Sequence, residues 1–597
     1  MYWPTTLTFL LLSGFISMTL TQEDTLRPVI RTSKGEVQGS RTFITNQQIP
    51  VDRFLGIPYA QPPVGQGRFR RPLEAQPWTN IRDATQYSSA CFQTFKYTGF
   101  RGDDMWIPTV PVSEDCLYLN IWVPRNIQRP MRKLTTLVWV YGGGFISGSS
   151  DLQVYDGSFM AATHNAIIVS MNYRVGPFGF LNLGVPEASG NVGLMDQSLA
   201  LKWTYQNIEA FGGDRNKITL FGESAGSASV SYHLLAQPSW DYFSNAIMMS
   251  STALCDWAFQ KPRESVKYSD MYAKELGCDR DNAQEVVECL RKKSAHELAS
   301  FQMNPWHFKP TVDGSFITKS PEELIRNKDF KRCNILLGFT TDEQTYFMQL
   351  FDSKKFDYRN SAEPSVTLPE IKNIINRVTL STSPIFPNTS LAFEHLLQVY
   401  VNGVPKKIRG TNVKVVDNIV GDHDFKCPVI RFARAYATED LGVYLYHFHH
   451  RSPNNPWPQW MGVIHGYEIE FAFGMPYNAS GGYSVEDKRI SDVLMSYLVT
   501  FASTGNPNSQ TFGERMWPNF TESDESYKII QSGLLETKQY PRYAQCSFWE
   551  DFLPVLEKQS ESTALAIARC TGSRDGATFL SVMILAAFSV LIASKHE

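Results

Sequence analysis

The sequence predicts an α/β protein built on a large, mostly parallel sheet. Short apolar runs at 134–141, 166–172, 218–221, 246–250, 335–338 and 443–448 alternate with longer segments of helical spacing, such as 196–208 and 491–501. That alternation is the pattern of parallel strands joined by crossover helices. The run at 218–221 leads directly into Gly222-Glu223-Ser224-Ala225-Gly226, and small residues of helical character follow. Strand, G-x-S-x-G and helix together form a nucleophile elbow, a turn so sharp that its flanks must be glycine. A second glycine-dependent turn, Tyr141-Gly-Gly-Gly-Phe145, follows the run that starts at 134.

The remaining elements are consistent with one large catalytic fold. A chain of 597 residues allows roughly four domains on length alone. No composition shift, repeat or low-complexity stretch divides it. Apolar content of 43% and charged content of 19% are ordinary for a globular protein, and a net charge of −3 gives no reason to expect a nucleic-acid partner. Residues 1–22 carry an apolar run too short to span a membrane, which is the form of a secretory signal peptide, although a basic start is missing. Residues 35–48 open a β-hairpin that 51–60 continues. The Pro-rich, aromatic stretch 452–458 has the character of a lid or site wall. Sequons at Asn388, Asn478 and Asn519 agree with an exported chain.

At the C-terminus, small and polar residues after Cys570 precede an apolar tail from 577 to 593. This is the arrangement of a GPI-attachment signal, with Thr571, Gly572 or Ser573 as the acceptor. A plain tail anchor is the alternative.

A serine hydroxyl attacks an ester only when a base takes its proton and a third group orients that base. Elbow proteins carry these groups in the order serine, acid, histidine. Asp342 and Glu343 both follow the apolar run at 335–338, at the carboxyl end where such sites are built. His465 stands in the turn-rich loop Gly462-Val-Ile-His-Gly-Tyr-Glu468. The backbone N–H groups of Gly143, Gly144 and Ala225 are the candidate oxyanion donors, and losing one such donor typically costs ~2.7–4 kcal/mol. This chemistry needs no metal and no cofactor.

The stretches 221–226, Ser113-Glu-Asp-Cys-Leu-Tyr-Leu-Asn-Ile-Trp-Val-Pro124 and Trp457-Pro-Gln-Trp-Met-Gly-Val-Ile-His-Gly-Tyr-Glu-Ile-Glu-Phe471 resemble the cholinesterase branch of the carboxylesterase family. The resemblance runs from about residue 22 to residue 556. It implies an α/β-hydrolase fold with a deep aromatic gorge. The implied organisation is a signal peptide at 1–22, a catalytic domain at 23–556, a stalk at 557–576 and a cleaved anchor signal at 577–597. It assigns Ser224 as nucleophile, His465 as general base and then acid, and Glu343 as the orienting carboxylate. The implied substrate is a choline ester, with acetylcholine cleaved to choline and acetate.

A quaternary ammonium cannot donate a hydrogen bond and is held by aromatic faces. Trp106 and Tyr346 match the branch's choline platform, with Glu223 supplying a negative charge. On the acyl side the resemblance points to Trp257, Trp306, Phe308 and Phe347, with Asn304 where a narrowing phenylalanine is usual. Three disulfides are implied, Cys91–Cys116, Cys278–Cys289 and Cys427–Cys546. Cys255 and Cys333 are left as buried thiols, and Cys570 is free to join a homodimer. The implied location is the outer face of the plasma membrane, at a synapse.

The branch's cation site at the mouth of the gorge is expected to be weak here. Lys96, Ile146, Leu350 and Ala295 stand near its usual aromatic and acidic positions, and the alternative is that Phe95, Tyr97 or Phe100 rebuilds the site in another register. Two other readings are open. One is a broad carboxylesterase. The other is a neuroligin-like adhesion protein, against which the intact Ser224, Glu343 and His465 argue.

Overall fold

The computed structural model describes residues 27–44, 49–125, 133–301, 307–379, 390–402, 412–478, 481–508 and 516–559. They fall into two compact units. The first comprises the chain up to Ala362 together with Asp424–Pro541, and the second comprises Glu363–His423 together with the residues from Arg542 onward.

The first unit is organised on an eleven-stranded sheet. Its strands are β1 (Ser40–Ile44), β2 (Ile49–Pro58), β3 (Tyr118–Pro124), β4 (Leu134–Val140), β5 (Ile167–Met171), β6 (Gly213–Glu223), β7 (Asn245–Met249), β8 (Ile335–Thr340), β9 (Val443–Phe448), β10 (Tyr527–Ile530) and β11 (Thr537–Lys538). They lie in the order β11-β10-β9-β8-β7-β6-β4-β5-β3-β2-β1. From β10 to β5 every pairing is parallel. Both edges are antiparallel.

Residues of β5 and β8 are buried along their whole length, as are nearly all those of β4 and β7. Strands covered on both faces read as continuous apolar runs, which is why these were visible in the sequence. By contrast, β1 is half-exposed and β11 fully exposed. These edge strands carry no such signal. The central elements extend beyond their apolar cores. β6 begins at Gly213, and the helices α1 (Val192–Asn207) and α3 (Val485–Thr504) both start before their apolar stripes do. The start of α3 is fixed by a capping box in which Ser484 and Asp487 each bond the other's backbone N–H. Between β6 and β7, α2 (Ala225–Leu235) packs on both of those strands.

The second unit is helical, with segments Leu368–Thr379, Ser390–Leu397, Val413–Gly421 and Tyr543–Ser547. Within it Asp422 accepts hydrogen bonds from Tyr400 Oη at 2.9 Å and Arg542 Nε at 3.0 Å. Trp549 Nε1 in turn donates to Tyr400 Oη at 2.9 Å.

Candidate active site

Ser224 stands between the last residue of β6 and the first of α2, with φ 56° and ψ −125°. A side chain is strained in that conformation, at a typical cost of ~1–3 kcal/mol, and it persists only where the surroundings enforce it. Here they do. The Ser224 N–H donates to Met249 O at 2.9 Å. A Cβ on Gly226 would lie 2.0 Å from Val140 O, so only glycine lets α2 start this close to β4. The glycine loop meets the same turn, for a Cβ on Gly142 would lie 2.9 Å from Ser224 Cβ. Gly143 and Gly144 follow with φ of 109° and 61°. Ala225 is the first residue of α2, where a free N–H and the helix dipole favour negative charge.

The acid and the histidine come from the loops after β8 and β9, at the carboxyl ends of neighbouring parallel strands. Asp342 and Glu343 divide the work. Asp342 forms a parallel bridge with Ile464. Its N–H donates to Val463 O at 2.9 Å, and its Oδ2 accepts from the Val463 N–H at 2.7 Å. It therefore anchors the histidine loop. Glu343, fully buried, bonds through Oε2 to His465 Nδ1 at 2.6 Å, and its Oε1 accepts from the Thr340 N–H at 2.7 Å. With Nδ1 held in this way, Nε2 is the ring atom left to receive a proton. Nε2 lies 3.1 Å from Glu223 Oε1, on the residue adjoining Ser224, yet makes no hydrogen bond to any described residue.

The site is rich in buried acid. Burial raises Glu223 to about 7, with His465 opposing and Glu343 adding to the rise. Glu468 is a further buried carboxylate. It accepts from Ser250 Oγ at 3.1 Å and Tyr446 Oη at 3.2 Å, and burial next to Glu343 and Glu223 raises it to about 8. Burial pulls His465 down, but Glu223, Glu343 and Glu468 outweigh it and raise the imidazole to about 9. The charges of Glu223, Glu468 and His465 thus bear on one another's protonation. The arrangement supports a transient imidazolium, the charge a base acquires when it deprotonates a serine.

Aromatic rings close over the imidazole. Phe347 lies 5.1 Å and Phe425 4.7 Å from the His465 ring, centroid to centroid. Those two phenylalanines stack at 5.6 Å, and Trp257 continues the wall 5.7 Å from Phe425. On another side Trp106 lies 6.4 Å from the buried ring of Tyr155, and Tyr346 lies 5.5 Å from Trp457. Trp106 and Tyr346 are both half-buried, so each keeps an open surface.

A model of the carboxylesterase family matches residues 26–549. The chain belongs to that family. It is a serine carboxylic-ester hydrolase with the α/β fold described above. Among its relatives are an acetylcholinesterase of Bungarus fasciatus, 41% identical over 539 residues, or 88% of this chain and 86% of that one. A cholinesterase of Mus musculus is 39% identical over 542 residues, 89% and 87% of the two chains. An acetylcholinesterase of Danio rerio is 39% identical over 574 residues, 88% of each.

The other site residues expected of this carboxylesterase fall into three groups. Trp257 and Phe347 line the wall beside His465. Phe308 departs from expectation, because its ring packs edge to face on Tyr272 at 5.0 Å and Phe301 at 5.4 Å rather than on that wall. Asn304 and Trp306 lie outside the described residues, as do Asn388, Cys570, the acceptor candidates 571–573, the signal segment 1–22 and the tail 577–597.

Cys91–Cys116 and Cys278–Cys289 are disulfides, Cys427 and Cys546 are likewise disulfide-bonded, and Cys255 and Cys333 are buried thiols. The sequons Asn478 and Asn519 are exposed. Among the described residues no helix is long and apolar enough to cross a membrane.

Phe425 and Glu468 escaped the sequence reading. Phe425 belongs to a π-helical turn, Asp422–Lys426, a distortion frequent at functional sites but without a sequence signature. Glu468 follows His465 by one turn, and that spacing was the available clue.

Proposed function

We propose that this carboxylesterase hydrolyses choline esters, with acetylcholine as the principal substrate, through an acyl-enzyme. His465 takes the Ser224 proton at Nε2 as the hydroxyl attacks the ester carbonyl. Glu343 keeps the imidazole in the tautomer that can accept it and balances the imidazolium. The N–H groups of Gly143, Gly144 and Ala225 receive the charge that develops on the carbonyl oxygen. His465 then returns the proton to the choline oxygen as the C–O bond breaks. Water repeats the sequence on the acyl-serine, releasing acetate.

Trp106 and Tyr346 hold the trimethylammonium by their faces while Glu223 supplies the opposite charge. Trp257, Phe347 and Phe425, with Trp306, limit the acyl group.

One observation carries the reading. The imidazole clamped by Glu343 at 2.6 Å presents Nε2 to a carboxylate at the elbow, and the expected choline platform, Trp106 and Tyr346, keeps half-open faces. A neutral ester needs neither that carboxylate nor those faces. The relatives named as cholinesterases support the same substrate class.

The test compares kcat/KM for acetylcholine and for naphthyl acetate in the wild type and in Trp106→Ala. A charged substrate alone gains from the cation–π contact, so the variant should lose acetylcholine turnover at least ~10-fold more than naphthyl acetate turnover. Equal losses would reduce Trp106 to a packing residue and favour a broad esterase.

The same proposal extends to the compartment. Residues 1–22 direct export, a lipid replaces everything after Gly572 or Ser573, including the apolar tail 577–597, and Cys570 joins two subunits at the outer membrane face. The disulfides and exposed sequons support export.

A further inference from the structure

His447 and His449 stand two residues apart at the carboxyl end of β9, the second just beyond it. Alternation along an extended chain puts such a pair on one face, side by side. His447 lies in register with Phe339 of β8 and Ile529 of β10. The His449 N–H continues the ladder and donates to Ile530 O at 2.9 Å. Phe339 packs on the His447 ring at 4.8 Å, centroid to centroid, which limits its freedom. Neither imidazole has a part in the ester chemistry derived above. The next histidine, His450, is already committed, for its Nε2 bonds Asp487 at 2.7 Å and its Nδ1 bonds Ser532 Oγ at 2.8 Å.

The two rings meet directly. His449 Nε2 lies 2.9 Å from His447 Nδ1, and the ring centroids are 3.9 Å apart with the planes at 72°. One proton lies between the two nitrogens, so one ring donates and the other accepts. Both residues are half-buried, which leaves the pair open to small solutes. Burial holds the His449 imidazole below its ordinary value. Asp342 and Glu536 oppose that fall, and Lys538 and Lys426 add to it. The ring is therefore neutral at neutral pH, the form in which an imidazole binds a metal.

We propose that His447 Nδ1 and His449 Nε2 chelate a divalent transition-metal ion, Cu²⁺ by preference, at a site outside the catalytic machinery. Metal–imidazole bonds of ~2.0–2.1 Å to nitrogens 2.9 Å apart subtend ~90° at the metal. That is the angle between neighbouring ligands in a square-planar or tetragonal site, the geometry of Cu²⁺ and Ni²⁺. A tetrahedral ion would need the two nitrogens ~3.3 Å apart. Among divalent first-row ions Cu²⁺ binds such donors most tightly. Binding needs no further reagent. The ring that now donates releases its proton at that nitrogen and takes one at its other nitrogen. A rotation of each ring then turns both lone pairs to the metal, and water completes the coordination. Around the dication Asp342 and Glu536 offset the charges of Lys426 and Lys538. Ca²⁺ and Mg²⁺ require oxygen ligands and do not suit the pair. The site stands whether or not the substrate is a choline ester.

The test uses the full-length enzyme, stripped with a chelator and titrated with Cu²⁺ alone. The readouts are equilibrium dialysis and the electron paramagnetic resonance spectrum of the bound ion. The tightest equivalent on the wild type should show hyperfine splitting from two imidazole nitrogens. His447→Phe, which keeps a ring against Phe339, and His449→Asn should each weaken that equivalent by at least ~10–100-fold, the loss typical when even the outer partner of a metal ligand is removed. His296→Ala, at an exposed histidine elsewhere, should leave it unchanged. Excess Mg²⁺ should not compete. Naphthyl acetate turnover should be normal in all three variants, which shows that they are folded.

Equal affinity in the wild type, His447→Phe and His449→Asn would mean adventitious binding elsewhere and would overturn the site. A spectrum with one nitrogen donor, or with none, would do the same. If His447→Phe lost turnover together with the metal, His449→Asn decides. Loss of the two-nitrogen signal with turnover kept supports the chelate, and retention of that signal refutes it.

Discussion

Replacing Glu223 by Gln probes the electrostatics at the centre of the site. Glu223 Oε1 lies 3.1 Å from His465 Nε2, and the two residues are 4% and 7% exposed. Two unit charges at that spacing attract by ~1 kcal/mol in water and by ~5 kcal/mol at an effective dielectric of 20. The effect in the protein falls between these figures. Glu223 is itself raised to about 7 by burial, so it carries only part of its charge at neutral pH. Glu343 stays in place and continues to hold the imidazolium. An opposite charge this close typically moves a pKa by ~1–3, and a partly charged partner belongs at the lower end, roughly one pH unit.

The sign follows from what His465 must do. In the proposed mechanism it accepts the serine proton only when neutral, so kcat/KM falls as pH drops through the imidazole pKa. Burial lowers that pKa while Glu223, Glu343 and Glu468 raise it, to about 9 in total. Removing the Glu223 charge lowers it, and the acid limb of the profile moves to lower pH. The assay is kcat/KM against pH with naphthyl acetate, a neutral substrate, so lost choline binding does not enter. A limb that stays put, or moves to higher pH, would refute the coupling between the two side chains.

Ser224→Ala should reduce ester hydrolysis by at least ~10⁴-fold and abolish labelling by an organophosphate, with an unchanged circular-dichroism spectrum; residual turnover near the wild-type rate would remove Ser224 from the mechanism. Gly226→Ala forces a Cβ to within 2.0 Å of Val140 O, so α2 or β4 must shift. The expected cost is ~1–3 kcal/mol, read as a lower Tm, together with a loss of activity larger than the loss of folded protein. Phe425→Ala opens the wall beside His465 and should raise kcat/KM for butyrylcholine relative to acetylcholine by ~10-fold, which paired kinetics on the two esters would check. Phosphatidylinositol-specific phospholipase C should release the cell-surface enzyme as a reducible dimer, and Cys570→Ser should run as a monomer on a non-reducing gel.

Part of this site was legible because local geometry permits few residues. The elbow and the Tyr141–Phe145 loop need glycine wherever a Cβ would strike backbone, and those glycines stand in the sequence as motifs. The central strands were legible for a related reason. Burial on both faces demands unbroken apolar runs, and β5 and β8 supply them. The short strand Tyr527–Ile530 was not legible, because it owes its place to the Val443–Phe448 strand beside it rather than to its own composition.

The tertiary structure decided what adjacency in the chain cannot. From the residues alone Asp342 and Glu343 were equivalent acids after the same strand. The bridge between Asp342 and Ile464 commits the first to the histidine loop and points the second at His465. Phe308 was expected beside the acyl group, and its ring packs on Tyr272 and Phe301, contacts between residues well apart in the chain or without a motif to announce them. Phe425 and Glu468 reach the imidazole from segments with no motif. The sequence by itself determined the Ser224 turn and the sheet beneath it, because steric exclusion acts between near neighbours. The charges and rings that surround the histidine were decided by folding, because electrostatic and aromatic contacts depend on distance in space.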